Sequence, residues 1–140
     1  MSRIFWDTNL FIYLFEDYGK FSKKVFALRE RMLDRGDQLM TSTMTFGELL
    51  VKPTERRDEV LKKKYEEAVL STAALVPFDI QAARFYAAIR GDSTIRAPDA
   101  IQLACAARES VDLFITNDER LSQKVVPGIQ FIVSLERAPL

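Results

Sequence analysis

Histidine is absent from this 140-residue chain, and cysteine occurs once, at position 105. The first absence removes the imidazole that most often serves as general base near neutral pH, and with it the usual zinc and non-haem iron sites. The second excludes an internal disulfide and points to a reducing, cytoplasmic setting. Five glycines and five prolines leave little material for linkers, and no segment is repetitive. No sign of charge prevails: twenty Lys and Arg balance twenty Asp and Glu, so nucleic-acid binding would need a local patch and a metal. Long hydrophobic runs are lacking as well. The longest, Leu10 to Phe15, cannot span a bilayer, and the apolar stretch between Arg3 and Asp7 is too short for a signal peptide. No membrane role is expected, and any chemistry falls to carboxylates, hydroxyls, lysines or a bound metal.

What is present is an ordinary globular balance, 48% hydrophobic and 29% charged, in a length that suits one domain over residues 1–140. Short β-rich runs alternate with longer helical patterns. Strands are expected at Arg3–Trp6, Gln38–Thr41, Leu75–Pro77, Leu113–Thr116 and Phe131–Val133. Helices are expected over Thr8–Asp17 and Phe21–Arg35, and from a Ser42 or Thr43 cap to Val51. Pro53 should end that third helix, and Thr54 should cap a charged one to Leu70. Asp79 should cap a helix to Arg90, Pro98 should open one to Glu109, and Asp118 should start a last short one. Strands alternating with helices predict an α/β fold, a mostly parallel five-stranded sheet with helices on both faces.

Four acids, Asp7, Glu48, Asp99 and Asp118, fall where an expected strand hands over to a helix or just inside that helix. In an open parallel sheet such positions collect at one edge. Three of them have a plain alternative as helix-start residues, worth about 1 kcal/mol each through the free N–H groups and the dipole. Glu48 resists that reading, since it lies inside a helix on the face of Met44 and Val51, where a carboxylate needs a partner, either a salt bridge or a metal. Carboxylates crowded together repel by about 4 kcal/mol per close pair at an effective dielectric of 20. A hard dication relieves that repulsion, and oxygen donors suit magnesium or manganese.

The strand ending in Asp7-Thr8-Asn9, the run Thr43-Met44-Thr45-Phe46-Gly47-Glu48, the helix start Ala97-Pro98-Asp99-Ala100 with Leu103 and Ala104 behind it, and Ile115-Thr116-Asn117-Asp118 together resemble the PIN-domain nucleases. In size and order the match is nearest to the toxin component of bacterial VapBC toxin–antitoxin pairs, and it covers essentially the whole chain. The resemblance implies a PIN-like three-layer sandwich and a magnesium- or manganese-dependent endoribonuclease. It also implies a homodimeric toxin silenced by an antitoxin. Asp7, Glu48, Asp99 and Asp118 take the family's four acidic positions, and Thr116 its hydroxyl beside the last acid. Thr8 and Asn9 follow the first acid as the pattern allows. Asp7 and Asp99 are expected as central ligands and Asp118 as a further one, with Glu48 a ligand or a group orienting the attacking water. Thr8, Asn9 and Thr116 are supporting residues or plain turn stabilisers, and Arg96 is placed to reach a substrate phosphate.

Two rival readings differ in class. An aspartyl-phosphate phosphatase or transferase also carries Asp after its first strand, but needs a second Asp where Asn9 stands. A catalytically silent PIN-like RNA-binding or scaffold protein would have no use for all four acids. Lys52, Arg56, Arg57 and Lys62 to Lys64 are interleaved with Glu55, Asp58, Glu59, Glu66 and Glu67, the pattern of a solvated helix face. Eight of the fifteen aromatics lie between residues 5 and 26, and Leu10 to Phe15 is apolar around the whole helix. Either a second helix covers its outer face, or a dimer mate or antitoxin helix does.

Overall fold

A computed structural model describes residues 1–139. Five strands, β1 (Arg3–Trp6), β2 (Gln38–Ser42), β3 (Ala74–Val76), β4 (Leu113–Thr116) and β5 (Phe131–Ser134), form one sheet in the order β3-β2-β1-β4-β5. Every pairing is parallel. Successive side chains of a strand face opposite ways, and the two sides of this sheet bury different sets accordingly. Phe5, Met40 and Phe114 enter one core cluster, where Phe5 and Phe114 stack across neighbouring strands at 5.2 Å. Ile4, Trp6, Leu39, Leu113 and Ile115 enter the other.

Helices cover both faces. Against the Phe5 side lie α6 (Ile80–Ile89) and α7 (Ala97–Arg108), packed on each other, together with the short α8 (Glu119–Ser122). From Leu103 to Ala107, α7 is buried all round, because Ala104, Cys105, Ala106 and Ala107 are small enough for sheet and α6 to close on it. Burial pushes the Cys105 thiol up to about 11, the behaviour of an inert core residue. Against the Trp6 side lie α1 (Thr8–Phe15), α2 (Lys20–Arg35), α3 (Thr43–Leu49) and α5 (Glu59–Thr72).

The apolar circumference of α1 is shared among these neighbours. Leu10 and Phe11 are fully buried with Trp6, and α2 contributes Val25, Leu28 and Met32 to the same cluster. Phe15 packs on Tyr65 of α5, ring centroids 5.4 Å apart. A covering helix is therefore the outcome for Phe11 and Phe15, while Tyr18 remains 44% exposed.

The first helix ends at Phe15, two residues short of its expected end at Asp17, and two further boundaries differ in kind. Pro53 does not end a helix but sits in the first turn of α4 (Val51–Glu55), where its missing N–H is not needed. Thr54 then caps nothing; Asp58 starts α5 instead, accepting from the Leu61 N–H at 3.0 Å after Arg57 turns the chain at φ 53°. Among the described residues no helix is long and apolar enough to cross a membrane.

Among the glycines, Gly128 makes the closest approach to neighbouring chain. Its φ is +97°, and a Cβ there would stand 3.0 Å from both the Ala107 side chain and its carbonyl oxygen. Gly128→Ala is expected to cost about 1–3 kcal/mol, combining overpacking with a backbone conformation that L residues avoid. Chemical denaturation should show the lower midpoint with an unchanged slope, and an unaltered midpoint would contradict this packing.

Candidate active site

The chain runs from β1 outward to β2 and β3, then returns to place β4 on the other side of β1. That reversal opens a crevice beyond the carboxyl ends of β1 and β4. Asp7 and Asp118 follow those two strands, so the topology puts them side by side. Asp7 is the N-cap of α1, buried to 9% exposure. Its Oδ1 accepts from the Thr8 N–H and its Oδ2 from the Thr116 hydroxyl, both at 2.8 Å. The same Thr116 oxygen accepts from the Asp118 N–H at 3.0 Å, so one hydroxyl ties the first acid to the last. Asp118 caps α8 through the Arg120 and Leu121 N–H groups.

Asp99 and Glu48 arrive from the two helices at the rim. Asp99 lies in the first turn of α7 without capping it, since Arg96 is the N-cap residue and makes no side-chain cap. Its nearest cation is Arg96, whose Nε stands 3.7 Å away. Glu48 projects from the last turn of α3 and forms no ion pair among the described residues. The apolar face expected around it is weaker than its spacing implied: Glu48 is exposed and Val51, 49% exposed, belongs to α4. The salt-bridge alternative for Glu48 finds no partner here.

All four acids line one open cleft of about 250 Å³, with Thr8, Asn9, Arg96 and Gln102. Their electrostatics are those of an anion cluster. Burial raises Asp7 to about 6, against the pull of the Thr116 hydroxyl and the Thr8 amide, and Asp99 and Glu48 raise it further. Asp99 is raised by burial, with Arg96 opposing and Asp118 adding. Glu48 is raised by burial, lowered by the Thr8 hydroxyl and raised again by Asp99.

The donor set fits magnesium or manganese: every candidate ligand is a hard oxygen, and the Asn9 Oδ1 is buried at the cleft wall without a hydrogen-bond partner. Among the described residues no three acids are drawn in closely enough to grip an ion as they stand. Local bonds account for that spread, with Asp7 held by Thr8 and Thr116, Asp99 leaning on Arg96, and Asp118 3.8 Å from Arg120. Thr8, Asn9, Thr116 and Arg96 all lie at or directly behind the cleft.

The sequence reading passed over Gln102, Thr45 and Ser42, which form a buried polar network under the cleft floor. One signal was available: an amide within the otherwise apolar stretch of α7, three residues after Asp99 and so on the same helix face. Two depressions flank the cleft and share its walls. One, of about 350 Å³, joins it through Ile12 and Glu48 and carries Lys52 and Arg56. The other, of about 360 Å³, joins it through Asp99 and Asp118 and carries Arg120 and Lys124. Lys62, Lys63 and Lys64 line neither, in keeping with a solvated face.

The PIN domain family model matches residues 4–126. Among solved structures, a chain of the VapBC2 structure from Rickettsia felis, bound to a DNA fragment from their promoter, is 14% identical with a TM-score of 0.75, over 94% of this chain and 98% of that one. A chain of FitAcB from Neisseria gonorrhoeae is 21% identical, TM-score 0.72, over 96% and 99%. A chain of a toxin-antitoxin complex from Klebsiella pneumoniae is 23% identical, TM-score 0.64, over 90% and 94%. Identities this low establish a shared fold. No curated protein matches the chain significantly. With a family model spanning most of its length and the parallel five-stranded fold to match, this chain belongs to the PIN domain family.

Proposed function

We propose that this chain is a divalent-metal-dependent endoribonuclease and the toxin of a toxin–antitoxin pair. The observation that carries the reading is the gathering of Asp7, Glu48, Asp99 and Asp118, separate in sequence, along one cleft at the topological switch point. Membership of the PIN domain family supports nuclease chemistry, and the likeness to chains from toxin–antitoxin structures supports an antitoxin partner. A homodimer is part of the same proposal. All four acids being present speaks against a catalytically silent RNA-binding protein.

Asp7 and Asp99 would be the central ligands, Asp118 a further one, and Glu48 a ligand or the group that orients the attacking water. A bound magnesium or manganese ion supplies charge neutralisation at the phosphodiester and acidifies water near neutral pH. Thr116 keeps Asp7 turned toward the cleft by donating to its Oδ2. Arg96, 69% exposed at its side chain, can exchange Asp99 for a substrate phosphate at little cost. Lys52 and Arg56 on one side and Arg120 and Lys124 on the other give an RNA backbone cationic contacts beyond the cleft.

The test is cleavage of a mixed RNA pool with manganese or magnesium, with and without chelator. Loss of cleavage on chelation supports the proposal, whereas cleavage that survives it, or none under any condition, rejects it. The products give a second check. With no histidine to activate the RNA 2′-hydroxyl, water is the expected nucleophile, leaving 5′-phosphate and 3′-hydroxyl ends. End-labelling and mass analysis decide this, and a 2′,3′-cyclic phosphate would refute hydrolysis by water.

A further inference from the structure

The pocket of about 350 Å³ beside the acidic cleft shares Ile12 and Glu48 with it. Its walls are largely apolar, with Leu49 from α3, Pro53 from α4, and Leu61 and Tyr65 from α5. The Tyr65 ring is fixed by stacking on Phe15. Three charged side chains, Glu16, Lys52 and Arg56, complete the lining, and among the described residues none of them forms an ion pair. The Glu16 backbone is anchored at the end of α1, its N–H on the Ile12 carbonyl and its own carbonyl accepting from the Ser22 hydroxyl. The half-buried Glu16 carboxylate meets only the Tyr65 hydroxyl among the described residues, at 3.4 Å, beyond the usual length of such a bond. A carboxylate and two cations that share a pocket without pairing suit an occupant carrying both donor and anionic groups.

We infer that this pocket is a subsite for one unpaired guanine beside the phosphate held at the acids, with the guanine N1–H and N2–H groups on the Glu16 carboxylate. Continuity and charge name the occupant. A strand whose phosphate lies at the four acids passes its next nucleotide over Ile12 and Glu48, where Lys52 and Arg56 meet the adjoining phosphate and the apolar walls receive the base. The volume is at the small end of ligand sites and suits a single nucleoside. A base held in a duplex has its faces and pairing edge occupied, so the strand is single here. Glu16 then selects the base, because a carboxylate only accepts. Guanine presents two donors side by side on its pairing edge, one for each carboxylate oxygen, in charge-assisted bonds. Uracil offers one N–H between two carbonyl oxygens that a carboxylate repels, and cytosine and adenine set an acceptor nitrogen beside their amino group.

This subsite rests on the nuclease reading, and the two can fail separately. The probes are three labelled hexaribonucleotides: all uridine, uridine with one central guanosine, and the same with inosine, which lacks the N2 amino group. Binding to the full chain is measured by fluorescence anisotropy in chelator, and the Leu49 and Leu61 methyl signals are followed by NMR. The guanosine RNA should bind about tenfold more tightly than the all-uridine RNA, the scale of a good bidentate contact, and inosine should lose most of that gain. Only the guanosine RNA should shift both leucine signals strongly. Glu16→Gln, which keeps the shape but sets a donor against one of the guanine N–H groups, should bind all three RNAs as wild type binds uridine, with an unchanged melting temperature. Equal affinities in the wild type, a guanosine preference that survives Glu16→Gln, or leucine signals that no RNA moves would each overturn the inference. The last result would leave the pocket to an apolar side chain of a protein partner. Should Glu16→Gln not fold, the wild-type contrast between guanosine and inosine decides alone. A guanosine preference without manganese-dependent cleavage would sink the nuclease reading and uphold the pocket, while cleavage without that preference would do the reverse.

Discussion

Asp7→Asn is expected to abolish metal-dependent cleavage while raising the melting temperature of the metal-free protein at pH 7. The opposite signs have one origin. Burial, reinforced by Asp99 and Glu48, lifts the folded-state pKa of Asp7 from 3.8 to about 6, despite the bonds from Thr116 and Thr8. The native state therefore holds the proton more tightly than the unfolded chain, and the stability linked to it is complete below about pH 4. That contribution is lost as pH rises through about 6. A shift of this size corresponds to about 3 kcal/mol, an order-of-magnitude upper figure for the strain of the ionised carboxylate at pH 7.

Asparagine removes the strain, since its oxygen can still accept from the Thr8 N–H and its amide can donate to Thr116. For a chain of this length about 2 kcal/mol raises the melting temperature by roughly 4–8 °C, and the gain should vanish near pH 4. Added manganese should reverse the order. The wild type should gain about 2.7 kcal/mol at a hundred times its dissociation constant, while Asp7→Asn should gain almost nothing. Melts at pH 4 and pH 7, each with chelator and with manganese, separate these effects. Equal manganese shifts in both proteins would refute the assignment of Asp7 as a ligand.

Phe11→Ala should produce a severe loss of stability. Phe11 is fully buried between the Trp6 ring at 5.3 Å and the Phe15 ring at 6.2 Å, in the cluster that also receives Val25, Leu28 and Met32 from α2. Truncation there costs about 3–5 kcal/mol from lost burial and the cavity left behind. Phe15→Leu, at a half-buried ring on Tyr65, should cost much less. Thermal melts beside analytical ultracentrifugation distinguish packing from association. A Phe11→Ala protein that melts normally but no longer self-associates would move this segment from the core to an interface.

The sheet was legible because its strands are short apolar runs, rich in β-branched and aromatic residues in β1, β4 and β5, and all five lie within about two residues of their expected places. Errors gathered where helices meet end to end. Pro53 reads as a stop from sequence, yet in a first turn it obstructs nothing, and Asp58 rather than Thr54 holds the bond that starts α5. The role of α2 in covering Phe11 could not be read locally, since which helix lies over an all-apolar one is decided by the path of the chain.

By itself, the order of residues determined the chemistry open to this protein: no imidazole, four carboxylates of which Asp7 and Asp118 follow strands directly, and hydroxyls beside these two. Strand–helix alternation determined the parallel sheet, because hydrophobic period and turn residues act over a few positions of chain. Only the tertiary structure decided which groups meet. Asp7 and Asp118 are neighbours because β4 lies against β1, and Thr116 can bridge them only across that pairing. The raised Asp7 pKa follows from burial and two distant acids, neither of which its own segment reveals. Gln102 finds Thr8 and Thr45 because 94 and 57 residues of chain are closed by the packing of α7 on the sheet. Hydrogen bonds and charge interactions reach only a few ångströms, so their partners are chosen by the fold and not by proximity in sequence.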